Sequence, residues 1–157
     1  MGATLWPAGT DPARPTVRLR DATLADAERL ADLFAAAGRP DRDAAAMRAW
    51  LTKGGALLVE REGGPVLAAV GWLPSDPGWR VERVTTRPDE RGNGYGRWLM
   101  TKLEALAIKG NVPLLDLEVE EEALLPYYQR LGYRQAGPSP LHLSKRVGGV
   151  WQRQAAP

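Results

Sequence analysis

Arg91-Gly92-Asn93-Gly94-Tyr95-Gly96-Arg97 separates a β-branched segment, 81–86, from a segment of helical periodicity that ends at Lys109. Glycines let the backbone turn so that successive N–H groups point into one concave space. The helix that follows adds the positive end of its dipole to that space. A strand, a glycine loop and a helix in this order predict a binding site for a phosphate or pyrophosphate group.

Two better-known nucleotide-binding patterns do not fit this loop. A dinucleotide fingerprint that starts at Gly92 needs a third glycine where Arg97 stands. A P-loop needs a Gly-Lys-Ser/Thr ending, which the segment lacks. Because arginine and glycine are common in this chain, the glycine loop alone is a weak signal, and a second motif is needed to interpret it.

That second motif is the segment Leu125-Pro126-Tyr127-Tyr128-Gln129-Arg130-Leu131-Gly132-Tyr133, which predicts a short helix that stops at a glycine before a strand. Together with residues 84–96, it resembles the GNAT superfamily of acetyl-CoA-dependent acyltransferases. In that family a Tyr-x-x-Leu-Gly-Phe/Tyr segment follows an Arg/Gln-x-x-Gly-x-Gly loop. The resemblance covers residues 17–147 and implies that the phosphorylated ligand is acetyl-CoA.

The order of the predicted elements is typical of a mixed α/β sheet. Strands are expected at 17–20, 56–60, 66–73, 79–86, 112–119, 133–135 and 141–146, and helices from Thr23 to Gly38, from Asp41 or Asp43 to Gly54, over 97–109 and over 123–131. A helix joins the fourth and fifth strands, so these two strands should be parallel. We expect a mostly antiparallel sheet of six or seven strands with about four helices, splayed between the fourth and fifth strands to admit acetyl-CoA.

Composition limits the class of protein. At 157 residues and 44% hydrophobic content, the chain suits one domain, expected over 16–147 with tails at 1–15 and 148–157. Its net charge is +2, from 21 basic and 19 acidic residues, and it has no long basic block, which argues against nucleic acid as a partner. Since neither a secretion leader nor a membrane span is predicted, a cytoplasmic location without membrane association is expected.

Cysteine is absent from the sequence, and His142 is its only histidine. The first fact excludes disulfides, thiolate metal sites and an acyl-cysteine intermediate, so acyl transfer would have to be direct. The second excludes a multi-histidine metal site, and no metal is expected. His142 lies in an alternating strand pattern, which favours a structural or surface role.

The GNAT resemblance implies which residues bind the cofactor. The pyrophosphate would be held by Arg91, Gly92, Asn93, Gly94, Tyr95, Gly96 and Arg97. The backbone of Val84, Thr85 and Thr86 would pair with the pantetheine arm like an added strand, and an N–H group there would stabilise the developing oxyanion. The alternative is a continuous β-ladder in which the glycine loop is a tight connection and nothing more.

Two side chains are candidates for proton transfer. Tyr128 matches the family tyrosine that protonates the departing CoA thiolate. Its neighbour Tyr127 would then belong to the core or the wall of the site, since adjacent helical residues lie about 100° apart. Glu82 is the candidate base, because many GNAT enzymes keep an acidic residue on the fourth strand near the acceptor. The alternatives are a water chain as the base and a surface ion pair of Glu82 with Arg80 or Arg83.

The sequence leaves the acceptor open. The resemblance implies N-acetyl transfer from acetyl-CoA to a primary amine of a small molecule or peptide, and it allows a homodimer. The family often carries a cofactor-contacting asparagine near position 121, where this chain has Glu121 and Glu122, so a non-catalytic module that binds CoA or a protein partner is the alternative. The acceptor side is expected from the first two helices and the loop 137–140. An aromatic pocket could be lined by Trp50, Trp72 and Trp79, but large aromatic side chains at such spacing are more often core residues.

Overall fold

A computed structural model of the protein describes residues 16–147. The two predicted tails, 1–15 and 148–157, lie outside the described residues. The elements are β1 Val17–Asp21, α1 Ala27–Ala36, α2 Ala44–Lys53, β2 Gly55–Arg61, β3 Val66–Ser75, β4 Gly78–Thr86, α3 Tyr95–Lys109, β5 Leu114–Glu118, α4 Leu125–Arg130, β6 Arg134–Gln135 and β7 His142–Arg146. Within 16–147, no helix combines the length and the apolar composition needed to cross a bilayer.

The strands form a seven-stranded sheet in the order β1-β2-β3-β4-β5-β7-β6. β1 pairs antiparallel with β2, and β7 pairs antiparallel with both β5 and β6. β4 and β5 are parallel, as the helix between them requires. The fold class predicted from the sequence, a mixed sheet with four helices, is confirmed.

β5 begins later than its apolar run predicts because the residues before it close α3. The N–H group of Val112 donates to the carbonyl of Ala107 at 2.8 Å, and Asn111 has a left-handed backbone with φ of 60°. These two features make a Schellman-type end, which satisfies carbonyl groups that a helix C-terminus leaves without partners. Val112 therefore belongs to the end of α3, and β5 starts at Leu114.

The chain forms two compact units, of which the first contains residues 16–71 and 83–100 of the described range. In this unit the apolar faces of α1 and α2 pack on β2 and β3. The buried residues of α1 recur at helical spacing, as the sequence predicts. The core cluster consists of Ala27, Leu30, Leu33, Phe34, Met47, Leu58, Val66 and Ala69.

Short polar side chains set the start of both helices in the first unit. The N–H group of Thr23 donates to Asp26 Oδ2 at 2.8 Å, which is the expected half of a capping box before α1. Asp43 Oδ1 accepts from the N–H group of Ala46 at 2.9 Å. Asp43, rather than Asp41, is therefore the N-cap of α2.

The second unit contains residues 72–82 and 101–147 of the described range. One face of its β5 and β7 lies against α3, as the hydrogen bond from Lys145 Nζ to Glu104 Oε1 of that helix, 2.9 Å long, shows. Leu115 is the cross-strand partner of Lys145 and is fully buried on the same face. Tyr133, also fully buried, donates its hydroxyl to Glu104 Oε2 at 3.2 Å. The opposite face of β5 and β7 carries polar side chains.

A buried carboxylate ties β1, β2 and α1 together in the first unit. Glu60 is 2% exposed and accepts hydrogen bonds from Arg18 at 2.7 Å, from Arg20 at 2.7 and 3.1 Å, and from Arg29 at 2.7 Å. Arg20 also donates to both carboxylate oxygens of Asp26, at 2.7 and 2.9 Å. These hydrogen bonds, with that from Arg20 the strongest, lower the pKa of Glu60 from 4.5 to about 2 against the opposing effect of burial.

Glu60→Gln should lower the free energy of unfolding at pH 7 by about 2–3 kcal/mol, because the guanidinium groups lose their anionic partner while remaining partly buried. Urea denaturation measures this, and Glu62→Gln, at an exposed position beside the same strand, is the matched control. Because the pKa of Glu60 is depressed in the folded state, its contribution is complete above pH 4.5 and is lost as the pH falls to about 2. Equal unfolding free energies for both variants at pH 7 would contradict the stabilising role.

Candidate active site

The pairing between β4 and β5 stops in the middle of β4. It covers three residue pairs and ends at Val81↔Leu117, whereas β4 continues to Thr86. Just beyond the last pair, Arg83 has φ of 58°, a left-handed conformation that non-glycine residues seldom adopt. A left-handed residue inside a strand is typical of a β-bulge, which interrupts the ladder and bends the strand. The β4–β5 ladder thus ends where the sequence predicts the splay, one residue before β5 itself ends at Glu118.

Arg83 is held against Trp50 of α2. The guanidinium carbon lies 4.5 Å from the ring centroid, which is the geometry of a cation–π contact. Trp50 is itself fixed, since its Nε1 donates to the carbonyl of Gly55 at 3.1 Å. A Cβ atom on Gly71 would lie 2.7 Å from the same nitrogen, so the ring packs on bare backbone. Trp50 is a core residue, as expected, and it also supports the bulge of β4.

An apolar cleft lies beside this pair and comprises about 240 Å³ of open space. Its walls come from α1, α2, β2, β3 and β4: Leu30, Phe34, Met47, Trp50, Leu51, Ala56, Ala69, Val70, Gly71 and Arg83. Arg83 brings the charge to an otherwise apolar lining. Most of this space is open to solvent, and the enclosed part, about 10 Å³, has room for no more than about one water molecule. It belongs to the first two helices, where the acceptor side was expected.

The glycine loop has the backbone that its sequence predicts. Gly92 and Gly94 have φ of 87° and 79°. A Cβ atom on either glycine would meet nothing within 4 Å, so the space in front of the loop is open. α3 begins at Tyr95, two residues before its predicted start, so Tyr95, Gly96 and Arg97 form its first turn, and the N–H group of Trp98 donates to the carbonyl of Gly94 at 3.0 Å. The first N–H groups of a helix have no carbonyl partner within it, so this end suits an anion.

Side chains on both sides brace the loop. Asn93 Nδ2 donates to the carbonyl of Glu90 at 3.0 Å, and the carboxylate of Glu90 pairs with Arg61 Nη2 at 2.8 Å. At the end of β4, the N–H group of Arg87 donates to the carbonyl of Leu67 at 2.7 Å, and its Nε donates to Val66 at 3.0 Å. Sequence reasoning missed Arg61, Arg87 and Glu90, because no local pattern links them to the loop. The side chain of Asn93 stabilises the loop by this hydrogen bond, while Arg91 and Arg97 are exposed.

Tyr128 lies in α4 of the second unit and is 7% exposed. Its ring meets Tyr127 and Tyr133 edge to face, with centroid distances of 5.0 and 6.2 Å. Burial, followed by the nearby Tyr127 and Glu120, raises the pKa of Tyr128 to about 12. The phenol is thus protonated at neutral pH, as expected, but it is a weaker acid than a tyrosine exposed to water. Tyr127 is the less buried of the two, so of its two predicted positions, the core or the wall of the site, the half-buried side chain fits the wall, which stays a prediction.

Glu82 also lies in the second unit, where its Oε2 is 3.1 Å from Arg80 Nε. This ion pair is one of the alternatives that the sequence left open.

On the same hairpin Trp72 and Trp79 stack with ring centroids 5.0 Å apart, and both are half-buried. They are therefore neither core residues nor part of the cleft beside Trp50. Within residues 16–147, no three carboxylate or imidazole groups are placed to hold a metal ion.

The predicted cofactor-binding residues all lie in the first unit, on the continuous segment from Val84 to Arg97, and Glu82 and Tyr128 lie in the second. A family model described as an acetyltransferase (GNAT) domain matches residues 53–135, which include the glycine loop and Tyr128. The chain belongs to the GNAT family. It is therefore an acetyltransferase that uses an acyl-CoA donor.

Solved structures share the GNAT fold with this chain. A Klebsiella pneumoniae protein assigned as an acyl-CoA N-acyltransferase is 26% identical, with a TM-score of 0.63 over 83% of this chain and 97% of that one. PaiA N-acetyltransferase of Thermoplasma acidophilum, solved with coenzyme A, is 13% identical (TM-score 0.69, 83% and 99% covered). Ribosomal-protein-S18-alanine N-acetyltransferase of Escherichia coli is 15% identical (TM-score 0.70, 84% and 94% covered). A search of curated protein sequences found no match.

The left-handed backbone of Arg83 gives a test of the bulge in this GNAT chain. Arg83→Val should be about 1 kcal/mol less stable than Arg83→Gly, because a β-branched residue is strained at positive φ and glycine is not. Both variants lose the contact with Trp50, so their difference isolates the backbone. Urea denaturation measures it. Equal or greater stability of the valine variant would show that the bulge is absent in solution.

Proposed function

We propose that the protein transfers the acetyl group of acetyl-CoA directly to a primary amine of a small molecule or peptide. The observation that carries this proposal is the continuous segment from the bulge at Arg83 to the start of α3. It joins a strand end that leaves the β4–β5 ladder to a glycine loop open on its outer side. GNAT membership supplies the reaction class.

The residues of this segment fit the parts of acetyl-CoA. The segment from Arg91 to Arg97 offers two glycines with positive φ, a helix N-terminus and two exposed guanidinium groups, which together suit a pyrophosphate. Val84, Thr85 and Thr86 continue β4 past its last β5 partner, so their backbone suits pairing with the amides of the pantetheine arm. The coenzyme A complex of the Thermoplasma relative supports this choice of donor.

The amine attacks the thioester carbonyl carbon as the C–S bond breaks, and CoA leaves as a thiol. Tyr128 supplies the proton to sulfur in this proposal. Its raised pKa keeps the phenol protonated at every physiological pH, so its readiness to donate does not depend on pH. A phenol that weak donates best as negative charge builds on the sulfur, which places the transfer in the same step as C–S cleavage.

The acceptor is an amine, and Glu82 is one candidate to receive its proton. Proteins of this fold include an enzyme named for an alanine of ribosomal protein S18 and one named for aminoglycosides, so both peptides and small amines belong in a screen. A panel of glycine, spermidine, kanamycin and an alanyl peptide covers these classes. Release of free CoA that depends on one of them identifies the acceptor, whereas binding without release favours a non-catalytic module.

Gly94→Ala should weaken acetyl-CoA binding at least tenfold, because alanine resists a φ of 79° and its methyl group enters the space in front of the loop. Gly63→Ala is the matched control, since Gly63 has φ of 70° with the same open surroundings in the β2–β3 hairpin. Isothermal titration with acetyl-CoA compares the variants with the wild type. Equal losses of acetyl-CoA affinity in both variants would mean that backbone strain in the protein, rather than the position of Gly94 in the loop, weakens binding. No binding by folded wild-type protein would reject the proposed function.

Tyr128→Phe should lower turnover by roughly a hundredfold while leaving acetyl-CoA affinity nearly unchanged, because the proton donor is lost and the buried ring is kept. Tyr127→Phe removes the neighbouring hydroxyl and is the control. The measurement is kcat from CoA release with the most active amine of the panel, together with the binding titration. Unchanged turnover in Tyr128→Phe would remove the assigned role.

A further inference from the structure

The polar face of the second unit carries titratable side chains in two rows across the strands. One row contains Arg80, Asp116 and Ser144, which are cross-strand partners on β4, β5 and β7. The next row contains Glu118 and its partner His142. Glu82 follows Val81, the last residue of β4 paired with β5, and lies two residues after Arg80 on the same face of its strand. Because side chains alternate across a strand, these residues share the face opposite Leu115 and Lys145.

His142 is oriented by a carboxylate on this face. Its Nε2 is hydrogen-bonded to Asp116 Oδ1, and the two side chains are 35% and 29% exposed. A carboxylate accepts and does not donate, so this contact selects the tautomer in which Nε2 carries the hydrogen. Nδ1 then presents its lone pair. The arrangement is that of a carboxylate-held imidazole, which is suited to accept a proton.

The His142 side chain is partly exposed, and the loop before β7 lies beside its Nδ1. Within residues 16–147, Nδ1 has no hydrogen-bond partner. Gly137 lies beside it, and a Cβ atom at that position would be 3.2 Å from Nδ1. Any side chain there would crowd the nitrogen. Gly137 belongs to the loop before β7, one of the segments expected to form the acceptor side.

Glu82, the base expected from the sequence, is engaged differently. Its carboxylate pairs with Arg80 at 3.1 Å, so one of its oxygens is already occupied by a guanidinium group. His142 has its orienting partner on one nitrogen and an accessible lone pair on the other. Of the two groups on this face, the imidazole is the better placed to take a proton.

We propose that His142, oriented by Asp116, is the base that removes the proton from the acceptor amine. The inference rests on the proposed function. The ammonium form of the amine transfers one proton to Nδ1, and the neutral nitrogen forms the N–C bond as the C–S bond breaks. The N-protonated amide formed in this way releases its second proton to solvent. Sulfur receives its proton from Tyr128, the imidazolium then releases its proton to solvent, and the phenolate takes one up from solvent. The charged groups on the same face as His142 are Arg80 and Glu82 on β4, Asp116 and Glu118 on β5, Arg134 on β6 and Arg146 on β7.

His142→Gln tests this role, with Ser144→Ala on the same strand and face as the matched control. With the most active amine of the panel at pH 7, His142→Gln should lower kcat/KM by about a hundredfold and Ser144→Ala should have little effect. The loss should shrink towards pH 10, because a growing fraction of the amine is then already neutral. A purely structural role for His142 would not produce that recovery.

A second readout does not depend on turnover. Since His142 is the sole histidine of the sequence, its ¹⁵N signals are unambiguous. The wild type should show the tautomer with hydrogen on Nε2, and Asp116→Asn should show a mixture of tautomers. Asp116→Asn should also lose activity, by less than His142→Gln.

The outcomes separate this inference from the function on which it rests. If the wild type binds acetyl-CoA and releases CoA but His142→Gln matches it at every pH, His142 is not the base and the proposed function stands. A large loss in Glu82→Gln with none in His142→Gln would return the role to Glu82. If folded wild-type protein binds no acetyl-CoA, the proposed function fails and this inference fails with it.

Discussion

The left-handed backbone of Arg83 is the constraint on which the shape of β4 depends. A regular ladder would pair each backbone group of a strand, whereas β4 stops pairing with β5 at Val81 and turns at Arg83. That conformation costs an L-residue roughly 1 kcal/mol, so it needs support from its surroundings. Trp50 provides this support by stacking on the guanidinium group, and Trp50 is in turn held by Gly55 and Gly71.

The backbone of the glycine loop is likewise held by contacts with residues that are distant in the sequence. Arg87 anchors the end of β4 to β3, and the pair of Glu90 with Arg61 fixes the turn that leads into the loop. Gly92 and Gly94 then supply the turns that other residues resist. A loop that is already ordered loses little conformational freedom when an anion binds, which favours affinity. The exposed loop thus depends on buried or half-buried contacts behind it.

The second unit separates the two proposed proton-transfer groups. The ring of Tyr128 packs near Tyr133, whose hydroxyl bonds to Glu104 of α3, so Tyr128 belongs to the side of the sheet that α3 covers. His142 lies on the opposite face with Asp116. In the proposed reaction, the raised pKa of Tyr128 keeps the phenol protonated until sulfur leaves, and Asp116 orients the imidazole of His142.

Local signals in the sequence determined the elements and the position of the loop. The β-branched run, the glycine spacing and Pro126 in the first turn of α4 act through backbone angles that depend on a few neighbouring residues, so β4, the loop and α4 were predicted where they lie. Tertiary structure decided which side chains meet. The contact of Arg83 with Trp50, the brace of Glu90 and the pair of His142 with Asp116 depend on strand register and helix packing between segments far apart in the chain. No local pattern encodes that register, which is why His142 looked like an ordinary strand residue in the sequence and became a candidate base in the fold.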